Sequence, residues 1–199
     1  MQPIRIAITG TSGVGKTTLV KVLAEKYQVP YIPENWNGLF QALKDYKTEK
    51  EPERQKEKVQ RFVQELNQWL RHRRQLCDDN QGFVMDRCVF DAFKMVIHEH
   101  VFGKETEAIK KLIQQSINFS KSISCIVVPP LSNWMTQEAV NQEGMKRNNN
   151  LHHKIYSQSL TIGLLEQFCH TKKIYLSTKL SSTEQRIELI DNYLSALNK

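Results

Sequence analysis

Gly10-Thr11-Ser12-Gly13-Val14-Gly15-Lys16-Thr17-Thr18 is the stretch on which the reading of this chain turns. Its first eight residues satisfy G-x-x-x-x-G-K-[ST] at every position. Just before it, Ile4, Ile6, Ala7 and Ile8 predict a short buried strand over residues 3–9. Just after it, Leu19, Val20, Leu23, Ala24 and Tyr27 fall on one face of a helix. A glycine-rich turn between a strand and a helix is built to hold an anion. The glycines let the backbone wrap closely, so successive amide N–H groups point inward. The helix then presents its positive end to the same anion. In this pattern Lys16 should reach the β- and γ-phosphates of a nucleoside triphosphate, and the Thr17 hydroxyl should coordinate magnesium. Residues 10–18 are the expected nucleotide-binding loop.

Outward from the loop, apolar runs and helical stripes alternate. A second strand is predicted over residues 29–32, closed by Pro33, and a helix over 38–46. Residues 47–51 read as a polar connector, and Pro52 suits the first turn of the next helix. There Val59, Phe62, Val63, Leu66, Trp69 and Leu70 follow the i, i+3, i+4, i+7 rule, the mark of a core-facing stripe. Phe83, Val84 and Met85 make a third strand ending at Asp86, with helices expected over 90–102 and 105–119 around Gly103. Residues 123–128 form a fourth strand, stopped by Pro129 and Pro130. A polar stretch over 133–150 precedes a helix over 151–170, a fifth strand over 173–176 and a last helix over 183–197, opened by Ser181 or Ser182. Such alternation predicts an α/β three-layer sandwich with a parallel five-stranded sheet covered by helices on both faces. No repeat or linker interrupts it, so residues 1–199 are expected to form one domain.

Composition narrows the class. Of 199 residues, 40% are apolar and 25% charged, enough for one ordinary core. No segment approaches the roughly 20 apolar residues of a membrane span, and the N-terminal apolar stretch is too short for a secretory signal. A cytoplasmic protein without a membrane partner is expected. Cys77, Cys88, Cys125 and Cys169 share no short spacing, which argues against a zinc site or a disulfide framework and for reduced thiols in or near the core. The net charge of +7 suits an anionic partner without choosing among ATP, a phosphorylated substrate, nucleic acid and acidic lipid. Much of the excess sits in Arg71, His72, Arg73 and Arg74, which read as a solvated helix end, where cations favour the negative pole of the dipole. No RNP-like motif, zinc finger or aromatic-basic interleaving supports nucleic acid as a partner. A homodimer is compatible with all of this.

In a doubly wound sheet, ligands gather at the carboxyl ends of the strands. Three charged residues fall there. Asp86 ends the third apolar run, the position of a Walker-B aspartate that holds magnesium directly or through water; it could instead cap the next helix. Arg87 offers a fork of donors for phosphate or carboxylate, or lies on the surface. Glu34 stands just past the second strand, in Tyr31-Ile32-Pro33-Glu34-Asn35-Trp36. Its carboxylate could accept a hydroxyl proton as that oxygen attacks the γ-phosphate, or begin a helix. Trp36 could stack on a substrate ring or serve as packing.

The order of GTSGVGKTT, Pro33-Glu34 after the second strand and Asp86-Arg87 after the third resembles the P-loop nucleoside and nucleotide kinases. That group includes deoxynucleoside kinases, thymidylate kinases and small AAA-like ATP-binding domains. The resemblance spans the chain in outline and is motif-deep at residues 10–18, 33–34 and 86–87. It implies strand order 2-3-1-4-5, and transfer of the γ-phosphoryl group from ATP, with Mg2+, to a small-molecule acceptor, a nucleoside or nucleotide. Glu34 then matches the catalytic base, and Asp86 and Arg87 the pair that organises metal, phosphates and substrate. Asp91 resembles the second aspartate that follows Asp-Arg in AAA-like members. The 133–150 segment corresponds to a lid whose Lys146 and Arg147 add positive charge in the transition state; the same two residues also fit a solvated loop. Three features depart from the pattern. The chain has no Asp-Arg-Tyr of thymidylate kinases, no Glu-Arg-Ser of typical deoxynucleoside kinases, and no arginine beside Pro33-Glu34. They leave the acceptor open.

Other nucleotide-dependent classes fit less well. The sequence has no Asn-Lys-x-Asp for guanine, no glycine after Asp86 in a D-x-x-G switch and no G-x-G-x-x-G dinucleotide fingerprint. Ser177-Thr178-Lys179-Leu180 is only faintly similar to a guanine-contacting loop. An AAA+ motor needs a helical lid domain, for which the chain is too short. The alternative from a different class is an ATP-binding regulatory or effector module with weak or no kinase activity. Acceptor-dependent formation of ADP separates the two.

Overall fold

The apolar run before the glycine loop forms β1 (Arg5–Ile8), the middle strand of a parallel sheet. The computed structural model describes residues 3–98, 106–131, 150–180 and 182–197. Among them the other strands are β2 (Tyr31–Ile32), β3 (Phe83–Asp86), β4 (Cys125–Val128) and β5 (Lys172–Tyr175). Seven helices accompany them: α1 (Lys16–Tyr27), α2 (Asn37–Thr48), α3 (Pro52–Asp78), α4 (Val89–His98), α5 (Thr106–Ser120), α6 (Leu151–Phe168) and α7 (Thr183–Leu197). The strand order is β2-β3-β1-β4-β5 and every pairing is parallel, as the resemblance implied.

Alternation along each strand divides the core between the two faces of the sheet. Ala7, Phe83, Met85, Ile126 and Val128 pack with residues of α2, α3, α4 and α6, including Phe62, Phe90, Phe93 and Leu165. Ile6, Ile8, Val84, Cys125 and Val127 pack with Leu19, Val20 and Leu23 of α1 and Ile187 and Ile190 of α7. Burial on both faces is why these strands read as continuous apolar runs. The register sets Ile8 opposite Asp86, so the end of β3 lies beside the start of the glycine loop. The four cysteines are buried and free. Among the described residues, no helix is long and apolar enough to cross a membrane.

Several boundaries differ from expectation for local reasons. β2 has two residues instead of four, because Pro30 lacks an N–H and offers the sheet only its carbonyl, to the Val84 N–H at 3.0 Å. α2 continues to Thr48, taking up the start of the expected connector. Ser182 opens α7 through a capping box: the Ser182 hydroxyl accepts from the Gln185 N–H, and Gln185 Oε1 accepts from the Ser182 N–H. The expected lid over 133–150, with Lys146 and Arg147, lies outside the described residues except for Asn150, the N-cap of α6. Gly103 and Ser181 lie outside them as well.

Candidate active site

The loop between β1 and α1 is shaped by left-handed backbone. Gly10 and Gly15 hold φ of +130° and +80°, values that L side chains seldom adopt. The first turn of α1 carries no acidic residue and no side-chain cap, so its positive end is not neutralised from within. Lys16 is 5% exposed and donates to the Thr11 carbonyl at 2.7 Å. Burial, and next the Arg87 guanidinium, bring its ammonium down from 10.5 to about 7, against the pull of Asp86, Asp91 and Glu34. Gln158 of α6 steadies the loop from the side. Its Oε1 accepts from the Thr11 N–H at 2.8 Å and its Nε2 donates to the Pro129 carbonyl at 3.0 Å.

At the neighbouring strand end, the Thr17 hydroxyl donates to Asp86 Oδ2 at 2.6 Å. Asp86 Oδ1 is buried and has no hydrogen-bond partner among the described residues. A hydroxyl beside a carboxylate with one unused oxygen fits magnesium, which keeps several waters and needs only one or two protein ligands besides phosphates. Among the described residues no cluster of three or more His, Cys, Asp or Glu forms a closed cage for a metal. The helix-capping alternative for Asp86 goes to Asp91, whose Oδ2 accepts from the Cys88 N–H just ahead of α4.

Arg87 is not a surface residue; its side chain is 14% exposed and joins three parts of the site. Nε donates to Glu34 Oε1 at 2.8 Å, and Nη1 to the Gly10 carbonyl at 2.9 Å and to Asp91 Oδ1 at 3.2 Å. Burial opposes its charge, but Glu34, Asp91 and Asp86 more than restore it and hold its pKa above the usual range. Asp91 also accepts from Lys94 at 3.2 Å and from the Thr9 hydroxyl. Burial resists its ionisation too, yet Lys94 and Arg87 outweigh it and keep its carboxyl well below the usual carboxylate range.

Arg73 corrects the sequence reading. It was expected in a solvated helix end, but it is 2% exposed. Its guanidinium donates to the carbonyls of Pro33, Glu34, Asp86 and Arg87, and lies 4.8 Å from the centroid of the Trp69 ring. Trp69 in turn donates Nε1–H to the Glu34 carbonyl at 3.2 Å. Arg73 continues the apolar stripe of α3 from Leu66, Trp69 and Leu70 at helical spacing, and that periodicity was the available signal. Lys94 had a local signal, its i, i+3 spacing from Asp91, whereas Gln158 had none.

A cavity of about 200 Å³ opens beside Thr11 and Ser12 of the loop. Glu34, Arg87 and Asp91 supply charged groups to it, and Trp36, Phe40, Met95 and Leu160 supply much of its apolar wall. Trp36 is both wall and packing, since its ring stacks on Trp69 with centroids 4.5 Å apart. The structure thus brings Lys16, Thr17, Glu34, Asp86 and Arg87 to one end of the sheet, while Arg147 lies outside the described residues.

Comparison with known proteins bears on the family and the fold. The sequence profile of a family described as an AAA domain matches residues 5–165. A protein of Methanocaldococcus jannaschii named "Putative adenylate kinase" is 39% identical over a matched stretch of 72 positions that covers 33% of this chain and 38% of that protein. The chain therefore spans well under half the length of that curated relative. Deoxyadenosine kinase from M. mycoides, solved with dCMP and dCDP bound, superposes with a TM-score of 0.64 at 15% identity, covering 98% of this chain and 100% of that one. Thymidylate kinase from Candida albicans gives a TM-score of 0.56 at 13% identity, covering 96% and 92%. At such identities the likeness is one of fold: the chain has the P-loop fold of nucleoside and nucleotide kinases.

Proposed function

The chain belongs to the AAA-domain family whose profile spans residues 5–165, and from that premise we propose that it transfers the γ-phosphoryl group of Mg-ATP to the hydroxyl of a nucleoside-like acceptor. The observation that carries this reading is the Glu34 carboxylate, held at 2.8 Å by Arg87 on the wall of the cavity that opens beside Thr11 and Ser12. A carboxylate there is suited to take a hydroxyl proton. Arg87 pairs with that carboxylate and Lys94 and Lys154 line the same cavity, so the acceptor can carry phosphate besides its reacting hydroxyl. The aromatic walls, Trp36 and Phe40, suit a planar ring.

In this mechanism Lys16 and the amides of residues 10–18 bind the triphosphate and neutralise it. Thr17 and Asp86 are the residues that would hold magnesium. Bound there, the ion would withdraw charge from the phosphate oxygens. Glu34 removes the acceptor proton, and Arg87 places Glu34 while adding positive charge beside the loop. Arg147 is assigned to the transition-state charge on the resemblance alone.

ADP formation with a panel of nucleosides, nucleotides and nicotinamide riboside tests the reading. Dependence on one hydroxyl acceptor supports it. Turnover that ignores every acceptor sinks it and favours a regulatory or effector module. Glu34→Gln should leave the Mg-ATP Kd within about threefold of wild type and lower acceptor phosphorylation by about 10²-fold or more. Unchanged turnover in that variant removes Glu34 as the base.

A further inference from the structure

We propose that Arg73 is a positioning residue of this site, a buried fork on α3 that sets the loop carrying Glu34 in register with the loop carrying Asp86 and Arg87. Its kinetic consequence rests on the phosphotransfer reading above; its structural consequence does not.

The need for such a residue follows from the sheet. Pairing between β2 and β3 covers only Tyr31↔Val84 and Ile32↔Met85, so the ladder stops before Glu34 and at the start of Asp86. Beyond that point Arg73 takes over. Nη1 serves the first loop, donating to Pro33 O at 2.8 Å and Glu34 O at 3.3 Å. Nη2 serves the second, donating to Asp86 O and Arg87 O at 2.8 Å each. One nitrogen per loop on a rigid planar group fixes the spacing of the loops, which a lysine ammonium, a single point of charge, does not.

The loops also need holding in shape. Arg87 adopts φ of +68°, a left-handed value that a long side chain keeps only where surrounding contacts over-determine it, and the first loop turns through Asn35 at +38°. Trp69 gives a second hold on the Glu34 carbonyl and lies against the guanidinium. Arg73 itself is buried and does not line the cavity, so it acts through Glu34 and Arg87, not on substrate.

Arg73→Lys, which keeps the charge, is the primary test, with Trp69→Phe as a milder second variant. Kinetics and amide hydrogen exchange are measured on the full chain. In Arg73→Lys, kcat should fall about thirtyfold or more while the Mg-ATP Kd stays within about threefold, because a displaced base harms chemistry more than nucleotide binding. Exchange at residues 87–88 should rise about tenfold or more, with the interior of α1 unchanged. The Arg87 N–H, bonded to Ile8 O, and the Cys88 N–H, bonded to Asp91, report the second loop directly. A kcat within about twofold of wild type overturns the proposal, as does exchange that rises equally in α1, since a misplacement effect is local. Should Arg73→Lys fail to fold, Trp69→Phe, which removes the ring edge bonded to Glu34 O and loosens the guanidinium beside it, decides: a local rise at 87–88 supports the role, and wild-type protection there overturns it. A wild-type protein without acceptor-dependent turnover refutes the phosphotransfer reading instead. Exchange alone then decides Arg73.

Discussion

Raising the pH from about 6 to about 8 should turn nucleotide binding from a nearly proton-neutral event into one that takes up close to one proton. Lys16 is the reason. In the free protein its ammonium is buried, faces Arg87, and has its pKa lowered from 10.5 to about 7. Phosphate oxygens favour the charged form, so the pKa rises on binding. The sign follows: triphosphate affinity is fully present below about pH 7 and declines, by about tenfold per unit, as pH rises above it until the pKa of the complex is reached. With a free-state value of about 7, linkage gives about 0.9 proton taken up at pH 8 and about 0.1 at pH 6. Mg-ATP titrations followed by calorimetry at pH 8 in HEPES and in Tris measure this, because the two buffers release the proton with different heats. Lys16→Arg, whose guanidinium stays charged, should lose the buffer dependence. Equal observed enthalpies in the two buffers for the wild type would refute the argument from burial.

Asp91→Asn should cost about 3–5 kcal/mol at pH 7, read from urea unfolding, because it leaves Arg87 and Lys94 buried without their shared carboxylate. The folded pKa of Asp91 is depressed, so its contribution is present above the ordinary value of 3.8 and the gap to the variant narrows as pH falls below it; a loss under about 1 kcal/mol contradicts the role. Asp86→Asn should erase the gain in ATP affinity that magnesium brings, about tenfold or more, and an undiminished gain removes Asp86 as the metal residue. Gly10→Ala would place a Cβ 3.0 Å from Gln158 Oε1 at a φ of +130°, weakening triphosphate binding about tenfold or more. Pairing it with Gln158→Ala should leave most of that loss, since the backbone strain remains; full recovery would assign the loss to the contact alone.

Residues 4–27 were legible in the sequence because three local signals agree there: an apolar run, glycines at left-handed positions and a helical stripe. Asp86 and Arg87 were legible as a strand end, and the partnership of Asp86 with Thr17 followed once the order of strands placed β3 beside β1. That order came from family resemblance, since periodicity does not say which parallel strand neighbours which. Arg73 was misread for an identifiable reason. Arg71, His72, Arg73 and Arg74 look like one cationic cluster in composition, yet only Arg73 lies on the buried stripe, and it is matched to four carbonyls from distant loops. Lys94 stands three residues after Asp91 and Arg87 four before it, a helical spacing the sequence displays; what the sequence does not display is that this trio is buried against the glycine loop. β2 was read too long because apolar character extends past the proline that ends its capacity to donate.

The bond from the Thr11 N–H to Gln158 crosses 147 positions of sequence. The glycine motif is therefore not self-sufficient. A fragment ending before α6 would keep every residue of the pattern yet leave that amide without the side chain that orients it and Gly10 without its close neighbour. Where the loop lies is written near the start of the chain; the curvature it adopts is dictated from the far side of the sheet.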